Sequence, residues 1–418
     1  MKLPPSRERK GAQGARPISM TSPVKVGVVF SSMLLTILLV IGAVLGRSEE
    51  PNRDSAYRPL SVYTEVLAHI KSDYVEEPDI QKVTHGALQG LVEYLDPISS
   101  YLTEEQAAQY EAARKNPDQG TGLSTGLIVQ KRGSVAAILA VLPGSAGDRA
   151  GLRSGDLIEA IDDVSTRMLP PALLESHLSG QPGSTTRLLV RTAKAYDEPQ
   201  EFNLTRGEVN LPSVTSRMLE GEVGYVDMNI VDAERIEQTG EAIRGLLRQG
   251  ASKIVLDLRE NSFGDHAAGI ELADLFLSSG ELGSLKGQRY PEKKFEADAE
   301  GVEGDFALAV IVDSRTAGAA EIAAAVLRDR ERAEIVGEQT YGIGALQQTI
   351  PLDDGAELIL SVAKYHPPSG ETVHGKGLEP ENAVAPAELR KWRDPEQMDQ
   401  ADREDPFLTK ALSVLAAG

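Results

Sequence analysis

The sequence predicts a multi-domain α+β protein, in which a helical N-terminal region is followed by a small β-rich domain and a larger α/β domain. Three patterns lead to this fold class. Apolar residues recur at helical spacing between residues 61 and 94. Glycine-bounded segments with alternating apolar residues follow between about 120 and 192, as in β-hairpins. From 223 to 259, an apolar strand, an amphipathic helix and a second apolar strand succeed one another, which is typical of a parallel βαβ unit.

The composition is that of a globular protein with several domains. The chain has 418 residues, of which 41% are hydrophobic, and this length is enough for two or three domains. Its formal net charge of −20 argues against nucleic acid as a partner, because a phosphate backbone repels an acidic surface. The absence of cysteine excludes disulfides, thiol catalysis and thiolate metal sites. The six histidines lack metal-ligand spacing, so the sequence predicts neither a metal nor another cofactor.

The N-terminal segment combines a basic tail with one long apolar run. Residues 1–25 carry six lysines and arginines and a single glutamate, whereas residues 26–46 carry no charge. An uncharged run of this length is just long enough to cross a bilayer. Because basic residues favour the cytoplasmic side, the pattern predicts a cytoplasmic tail at 1–25, a single-pass transmembrane anchor at 26–46 and an extracytoplasmic body, in the periplasm or at the cell exterior. A cleaved signal peptide is the alternative, and the lack of an Ala-x-Ala motif favours the anchor.

Residues 55–115 are predicted to form the helical N-terminal region, and residues 118–195 form the small β-rich domain. Within Pro143–Asp162 lie a small-residue helix start, a Gly-Leu turn and a Gly-Asp hairpin that leads into an alternating apolar strand. This order resembles a PDZ domain, which is a small β-barrel or sandwich. The resemblance implies that a peptide C-terminus is added as a strand beside a helix, while N–H groups of a glycine-rich loop bind its carboxylate.

The resemblance also indicates which residues are expected to bind the peptide. The loop corresponds to Thr121–Thr125 and the facing helix to Ala172–Leu178. The candidate peptide-binding residues are Gly122, Leu123, Ser124 and Thr125 on the loop, and Leu174, His177 and Leu178 on the helix. Core packing is the alternative for the three leucines, and simple exposure is the alternative for His177. Ser124 stands where a second glycine is usual and stiffens the loop, so weak or absent peptide binding is left open.

The third region, residues 200–385, carries the βαβ unit, and a charged tail with a short apolar helix follows at 386–418. Within this region, Ile311-Val-Asp-Ser-Arg-Thr-Ala-Gly-Ala-Ala-Glu-Ile322 leads from an apolar strand into an alanine-rich helix. The segment resembles the active-site turn of the C-terminal processing (tail-specific) serine peptidases of family S41. In that family the nucleophilic serine precedes the glutamate by three residues, so the resemblance places the nucleophile position at Gly318. The family's Thr-Phe-Gly-Lys-Gly turn corresponds to Thr340–Gly344, which places the lysine position at Ile343.

Further segments extend this resemblance over about residues 55–385, including Leu95-Asp-Pro-Ile-Ser-Ser-Tyr-Leu-Thr103. It implies a ClpP/crotonase-like α/β core. Gln347 remains at the family's third catalytic position, where a polar residue in a retained turn is the alternative interpretation. The resemblance also implies an oxyanion-like pocket at Gly264 and Ala319. In its glycine-rich loop, Phe263 stands in place of a glycine and is expected to narrow the pocket.

The residues at the two catalytic positions exclude the family's chemistry. A serine attacks only when a base takes its proton, and glycine has no side chain while isoleucine accepts no proton. We therefore expect a membrane-anchored pseudopeptidase that binds peptide or protein C-termini, or that regulates an active paralogue or a second copy of itself. An active endopeptidase with a relocated nucleophile is the alternative. Its candidates are Ser314 or Thr316 with Asp265 and His266, because catalytic triads are defined by geometry and not by order.

Overall fold

The structure, a computed structural model, describes most of the chain. The described residues are 33, 36, 53–115, 123–192, 195–298, 301, 304–393 and 404–417. Almost all of the predicted anchor at 26–46 and the whole basic tail lie outside them, so both stay predictions. Among the helices that the structure describes, none is long and apolar enough to span a bilayer.

The chain divides into two compact units, residues 1–80 and 81–418. The first unit contains helix α1 (Arg53–Asp73), which begins before the predicted helical segment at 61–71 and includes Pro59. The second unit starts with the remainder of helix α2 (Ile80–Glu93), strand β1 (Ser100–Leu102) and helix α3 (Glu104–Lys115). The helical N-terminal region of the predicted fold is thereby confirmed.

Residues 123–205 form the PDZ-like domain, in which short helices pack on an antiparallel sheet. Its elements are a 3-10 turn (Leu123–Thr125), β2 (Leu127–Arg132), β3 (Val135–Val141), α4 (Ala146–Arg149), β4 (Leu157–Ile161), β5 (Val164–Ser165), a 3-10 turn (Pro171–Leu173), α5 (Leu174–Leu178), β6 (Thr185–Thr192) and β7 (Ala195–Thr205). The strand order is β2-β3-β4-β6-β7, and β5 pairs with β4. The domain continues past the predicted boundary at 195, because β7 pairs with β6 as far as Thr205. Helix α5 packs on β2, the edge strand of this sheet within the described residues.

The α/β core contains two further sheets. Its elements are β8 (Thr215–Leu219), β9 (Val223–Asp227), α6 (Ala233–Arg248), β10 (Lys253–Asp257), α7 (His266–Asp274), β11 (Glu281–Lys286), β12 (Lys293–Glu296), β13 (Ala307–Val312), α8 (Ala319–Asp329), β14 (Glu334–Gly337), β15 (Ala345–Pro351), β16 (Glu357–His366) and β17 (Asn382–Ala383). The first sheet has the order β17-β14-β13-β10-β9-β8 and is parallel except for β8. The predicted βαβ unit is confirmed, because β9 and β10 are parallel neighbours connected by α6. The second sheet has the order β1-β16-β11-β12, with β15 also paired to β16.

Helices α7 and α8 lie against each other at the centre of the core. A Cβ atom at Gly269 of α7 would stand only 2.3 Å from the carbonyl oxygen of Ala319, so only glycine permits this approach. Residues 319–327 of α8 are all buried. The small alanine side chains of α8 allow close packing of this kind, and the contact fixes where α8 begins.

The C-terminal tail packs on the α/β core. It forms helices α9 (Pro386–Trp392) and α10 (Pro406–Ala417). Phe407, Ala411 and Leu415 of α10 are buried against the parallel sheet. The carboxylate of Asp405, just before α10, lies 2.8 Å from the guanidinium of Arg259.

Candidate active site

The turn between β13 and α8 places Gly318 at the start of a buried helix. Gly318 is the N-cap residue of α8 and has φ +65° and ψ −121°. A side chain in such a sparsely populated backbone region costs on the order of 1–3 kcal/mol. The turn is held by Asp313, whose carboxylate accepts the N–H of Thr316 at 3.0 Å, and by the N–H of Ala317, which donates to the carbonyl of Asn261 at 2.8 Å. Hydrogen bonds therefore hold the turn at the position that the resemblance assigns to the nucleophile, where glycine has no side chain.

The buried carboxylate of Glu321 connects the two positions assigned to catalysis. One oxygen accepts the N–H of Gly318 at 2.9 Å and the N–H of Ile343 at 2.8 Å. The other accepts the N–H of Gly342 at 2.6 Å and the hydroxyl of Thr340. Burial raises the pKa of Glu321 to about 7, against these four hydrogen bonds, which lower it. Glu321 thus holds the 340–344 turn against the beginning of α8.

The side chain of Ile343 lies in an apolar cluster and not in a polar pocket. We call this the site cluster; its buried members are Ile98, Leu139, Ala317, Ile343 and Ala345, with Tyr341 packed against them. Ile98 and Ile343 are 8% and 6% exposed. Leu139 belongs to β3 of the PDZ-like domain, so the cluster joins this domain to the core. Apolar packing thus occupies the position that the resemblance assigns to the catalytic lysine.

Gln347 makes a structural contact from the start of β15. Its side-chain N–H donates to the carbonyl of Ile98 at 2.8 Å. The contact ties β15 to the segment before β1. This agrees with the alternative interpretation of Gln347 as a polar residue in a retained turn.

Two histidines and an aspartate lie beside the site. The Nδ1 atom of His374 accepts the N–H of Gly344 at 3.3 Å, which places the proton of the neutral ring on Nε2. That Nε2 lies 3.7 Å from the carboxylate of Asp96. Burial alone raises the pKa of Asp96, but His374, together with the side chain and N–H of Ser99, lowers it well below its usual range. Burial lowers the pKa of His266, the first residue of α7, and the nearby imidazole of His374 lowers it further.

The sequence predicts an oxyanion-like pocket at Gly264 and Ala319, and the structure describes the backbone of both residues. Gly264 has φ +131°, and a Cβ atom there would stand 2.1 Å from the carbonyl oxygen of Val231, so glycine is required. The N–H of Ala319 begins α8 and has no intrahelical acceptor. Phe263 lies in an apolar cluster with residues that include Ile128 of the PDZ-like domain. Its ring therefore contributes to a contact between this domain and the core, which the sequence did not indicate.

The candidate peptide-binding loop is partly described. Gly122 lies outside the described residues, and Leu123 opens a 3-10 turn. The hydroxyl of Ser124 donates to the carbonyl of Leu178 at 3.4 Å, and the carbonyl of Ser124 accepts the N–H of Gly207 at 2.9 Å. Thr125 is buried, and its hydroxyl has no partner among the described residues. Ser124 thus ties the loop to the end of α5.

The candidate residues on α5 mostly face the interior of the PDZ-like domain. Leu174 and Leu178 are 1% and 0% exposed and belong to the core of the domain. Core packing, the alternative stated for them, describes both leucines in this structure, because α5 turns its apolar side to the sheet. Arg206 donates to the carbonyls of Leu178 and His177, each at 3.0 Å. The ring of His177 is half-buried, and burial lowers its pKa.

The edge strand β2 of the PDZ-like domain is bonded to the site turn. The hydroxyl of Tyr341 donates to the carbonyl of Lys131 on β2. The ammonium of Lys131 is buried and lies 2.7 Å from the carboxylate of Glu93 on α2. Beside this contact runs a cleft of about 530 Å³, which Ser314 and Lys376 help to line. The PDZ-like domain is thus docked on the site through β2 and β3.

Several residues of the site were not identified from the sequence. Asp96 and His374 lie in segments that carried the family resemblance, but they are far apart in the chain, so nothing paired them. In the sequence, Glu321 only marked the position of the nucleophile, three residues before it. Its four hydrogen bonds could not be predicted, because three of their donors lie in the distant 340–344 turn. Leu139 had no signal beyond its place in an apolar strand.

Comparison with known proteins assigns the chain to a family. A model of peptidase family S41 matches residues 222–384, and a PDZ-domain model matches residues 138–192. The carboxyl-terminal-processing protease of Picosynechococcus is 31% identical over 371 residues, which are 84% of this chain and 88% of that protein. The protein of the same name from Synechocystis is 31% identical over 321 residues, which are 75% of this chain and 74% of that protein. The photosystem II D1 C-terminal processing protease has the same fold, with a TM-score of 0.62 and 24% identity over 78% of this chain and 93% of that one. The chain therefore belongs to peptidase family S41, as a homologue of the carboxyl-terminal processing proteases.

Proposed function

We propose that this member of the family has lost peptidase chemistry and acts as a peptide-binding or regulatory pseudopeptidase of the cell envelope. The observation that carries the proposal is the buried side chain of Ile343, which packs with Ile98 and Leu139 where the family resemblance places the base. Gly318 supplies no nucleophile. Loss of one member of such a catalytic unit lowers turnover by roughly 10⁴- to 10⁶-fold, and loss of a second adds little.

The proposed ligands are peptide or protein C-termini. The family relationship and the PDZ domain support this class of ligand, since PDZ domains bind C-termini by adding a strand to a sheet edge. In this chain the edge strand is β2, and Ser124 and Thr125 lie on the adjoining loop. A second copy of this chain or an active paralogue is the proposed protein partner, because the core scaffold is retained without its chemistry.

The proposed location is the extracytoplasmic side of a membrane. The charge pattern supports a cytoplasmic tail at 1–25 and a single span at 26–46. Protease accessibility of the body in intact cells or spheroplasts tests the proposed orientation. Digestion of the body from outside is the expected result, and full protection in spheroplasts would contradict it.

Binding of a labelled peptide tests the proposed function. The full-length protein in detergent is titrated against a fluorescent peptide with an apolar C-terminus, and against the same peptide with an amidated C-terminus. The free carboxylate is expected to bind at least about tenfold more tightly, because amidation removes a charge-assisted hydrogen bond worth roughly 1.5–3 kcal/mol. The peptide is expected to remain intact. Equal binding of both peptides, or no binding, would contradict the proposal.

An active endopeptidase with a relocated nucleophile is the second candidate. Ser314 supports it, because this residue and Lys376 line the same cleft beside the site. Thr316 is a poorer nucleophile, since its hydroxyl already donates to the carbonyl of Leu258 at 2.8 Å. Labelling of the parent protein by a fluorophosphonate, abolished by Ser314→Ala, would establish this candidate in place of the first.

A further inference from the structure

His266 faces the position that a side chain at residue 318 would occupy. A Cβ atom built on Gly318 stands 3.8 Å from Nε2 of His266, at ordinary contact distance. A hydroxyl or thiol lies one bond beyond Cβ, so the rotamer directed at His266 brings it within hydrogen-bonding distance, about 3 Å. That Nε2 atom is buried and has no hydrogen-bond partner among the described residues. An unpartnered imidazole nitrogen is thus aimed at the empty nucleophile position.

The surroundings of His266 fix its ring and favour its neutral form. The ring stacks on Tyr365, with 5.9 Å between centroids and 17° between planes, and Tyr365 stacks on Phe295 in turn. The charged and titratable groups that face His266 are Asp265, which raises its pKa, and His374, which lowers it, while burial is the largest effect and lowers it. A neutral imidazole is the form that accepts a proton.

We infer that His266 is the base position of this site, in place of residue 343. A hydroxyl or thiol introduced at residue 318 would transfer its proton to Nε2 of His266 without any lysine in the 340–344 turn. In this arrangement the base lies at the start of α7 and not in the 340–344 turn. The site then lacks only the nucleophile at residue 318. The sequence suggested His266 as a partner for Ser314 or Thr316, whereas the geometry directs it to Gly318. The inference goes beyond the proposed peptide binding and does not depend on it.

A single introduced thiol tests the inference. The chain has no cysteine, so Gly318→Cys supplies the only thiol, and its ionisation can be followed by the ultraviolet absorbance of the thiolate. The S–H proton passes to His266, which forms a thiolate–imidazolium pair and lowers the titration midpoint of the thiol. The start of α8 also lowers this midpoint, so the comparison is made with Gly318→Cys, His266→Gln, which keeps the helix and removes the base. His69→Gln in the Gly318→Cys background is the matched control, because His69 is exposed on α1 and its ring is hydrogen-bonded to Asp73 of the same helix.

The titration midpoint of the thiol in Gly318→Cys is expected to lie at least about 1 pH unit below its midpoint in Gly318→Cys, His266→Gln. A difference of 1 pH unit is a tenfold change in the ionisation constant of the thiol. The His69→Gln control is expected to leave the midpoint unchanged. Identical midpoints with and without His266 would overturn the inference. Circular dichroism confirms that each variant is folded before the comparison is made, and His266→Asn replaces His266→Gln should the latter unfold.

The serine variant tests the same base by its reactivity. In Gly318→Ser, the hydroxyl proton passes to His266 while Oγ bonds to the phosphorus of a fluorophosphonate and fluoride leaves. Labelling is expected in Gly318→Ser and is expected to fall at least about tenfold when His266→Gln is added. Labelling that persists without His266, or that requires Ile343→Lys, would overturn the inference. Peptide binding by the parent protein is measured separately, so failure of the base leaves the proposed function to its own test.

Discussion

Ile343→Ala is expected to destabilise the protein, because the side chain is only 6% exposed and packs inside the site cluster. The substitution removes three buried carbons, and at about 0.8 kcal/mol for each this amounts to roughly 2.4 kcal/mol of lost burial. The cavity left behind adds to the loss, so the free energy of unfolding is expected to fall by about 2.5–4 kcal/mol. If residue 343 instead faced a polar, water-accessible catalytic pocket, its truncation to alanine would change the free energy of unfolding little.

A double-mutant cycle extends this prediction to the contact between domains. Leu139 of the PDZ-like domain is 3% exposed and belongs to the same cluster. Because both side chains belong to one packed cluster, Ile343→Ala and Leu139→Ala are expected to be non-additive, with an interaction energy of about 0.5–2 kcal/mol. The cost of the double variant is expected to be smaller than the sum of the single costs, since the second truncation enlarges a cavity that already exists.

Urea unfolding of the full-length chain, followed by circular dichroism, measures these changes. Equal slopes against urea among the variants justify the comparison of free energies. Leu352→Ala is the control, because Leu352 lies just beyond β15 and is 39% exposed, and it is expected to change stability by less than about 0.5 kcal/mol. If Ile343→Ala costs no more than Leu352→Ala, or if the two cluster variants are strictly additive, the claim of an apolar interdomain cluster fails.

Two further predictions concern the hydrogen bonds of the site. Glu321→Gln is expected to destabilise the protein by at least about 1–3 kcal/mol, because an amide N–H₂ cannot accept the N–H groups that face it. Burial raises the pKa of Glu321 to about 7, whereas its ordinary value is about 4.5. The folded protein therefore binds this proton more tightly than the unfolded chain. The resulting stability is fully present below about pH 4.5 and is lost as the pH rises through 7. The difference in melting temperature between the parent and Glu321→Gln is therefore expected to narrow from pH 5 to pH 8, and a difference that widens would contradict the assignment. Tyr341→Phe removes the hydrogen bond to the carbonyl of Lys131. It is expected to lower the free energy of unfolding by about 1 kcal/mol and to speed amide hydrogen exchange in β2. Unchanged exchange in β2 would show that this bond does not hold the PDZ-like domain on the core.

The sequence predicts the parts of this fold that depend on local patterns. The βαβ unit from β9 to β10 was identified because the spacing of its apolar residues changes from that of a strand to that of a helix and back within one short segment. The beginning of α8 was placed at Gly318, since an alanine-rich run follows a flexible residue. Family resemblance then supplied the spacing between Gly318 and Ile343, which the carboxylate of Glu321 brings together in the structure.

What the sequence did not predict depends on contacts between distant segments. Leu139 meets Ile343 only because the PDZ-like domain is docked on the core. The small β-rich domain was predicted to end at residue 195, because the pairing of β7 with β6 as far as Thr205 leaves no local pattern in the sequence. His266 was recognised as a candidate base, but its direction toward residue 318 follows from the packing of α7 on α8 and from its stacking on Tyr365.

The loss of the nucleophile is tested most directly by cleavage of an unfolded reporter protein with an apolar C-terminus. The full-length parent is compared with Gly318→Ser and with Gly318→Ser, Ile343→Lys under identical conditions. We expect the parent to leave the reporter intact and Gly318→Ser to cleave it, because the backbone of the site is retained and only the nucleophile is missing. Cleavage by the parent, abolished by Ser314→Ala, would show instead that this chain is a working peptidase with a relocated nucleophile.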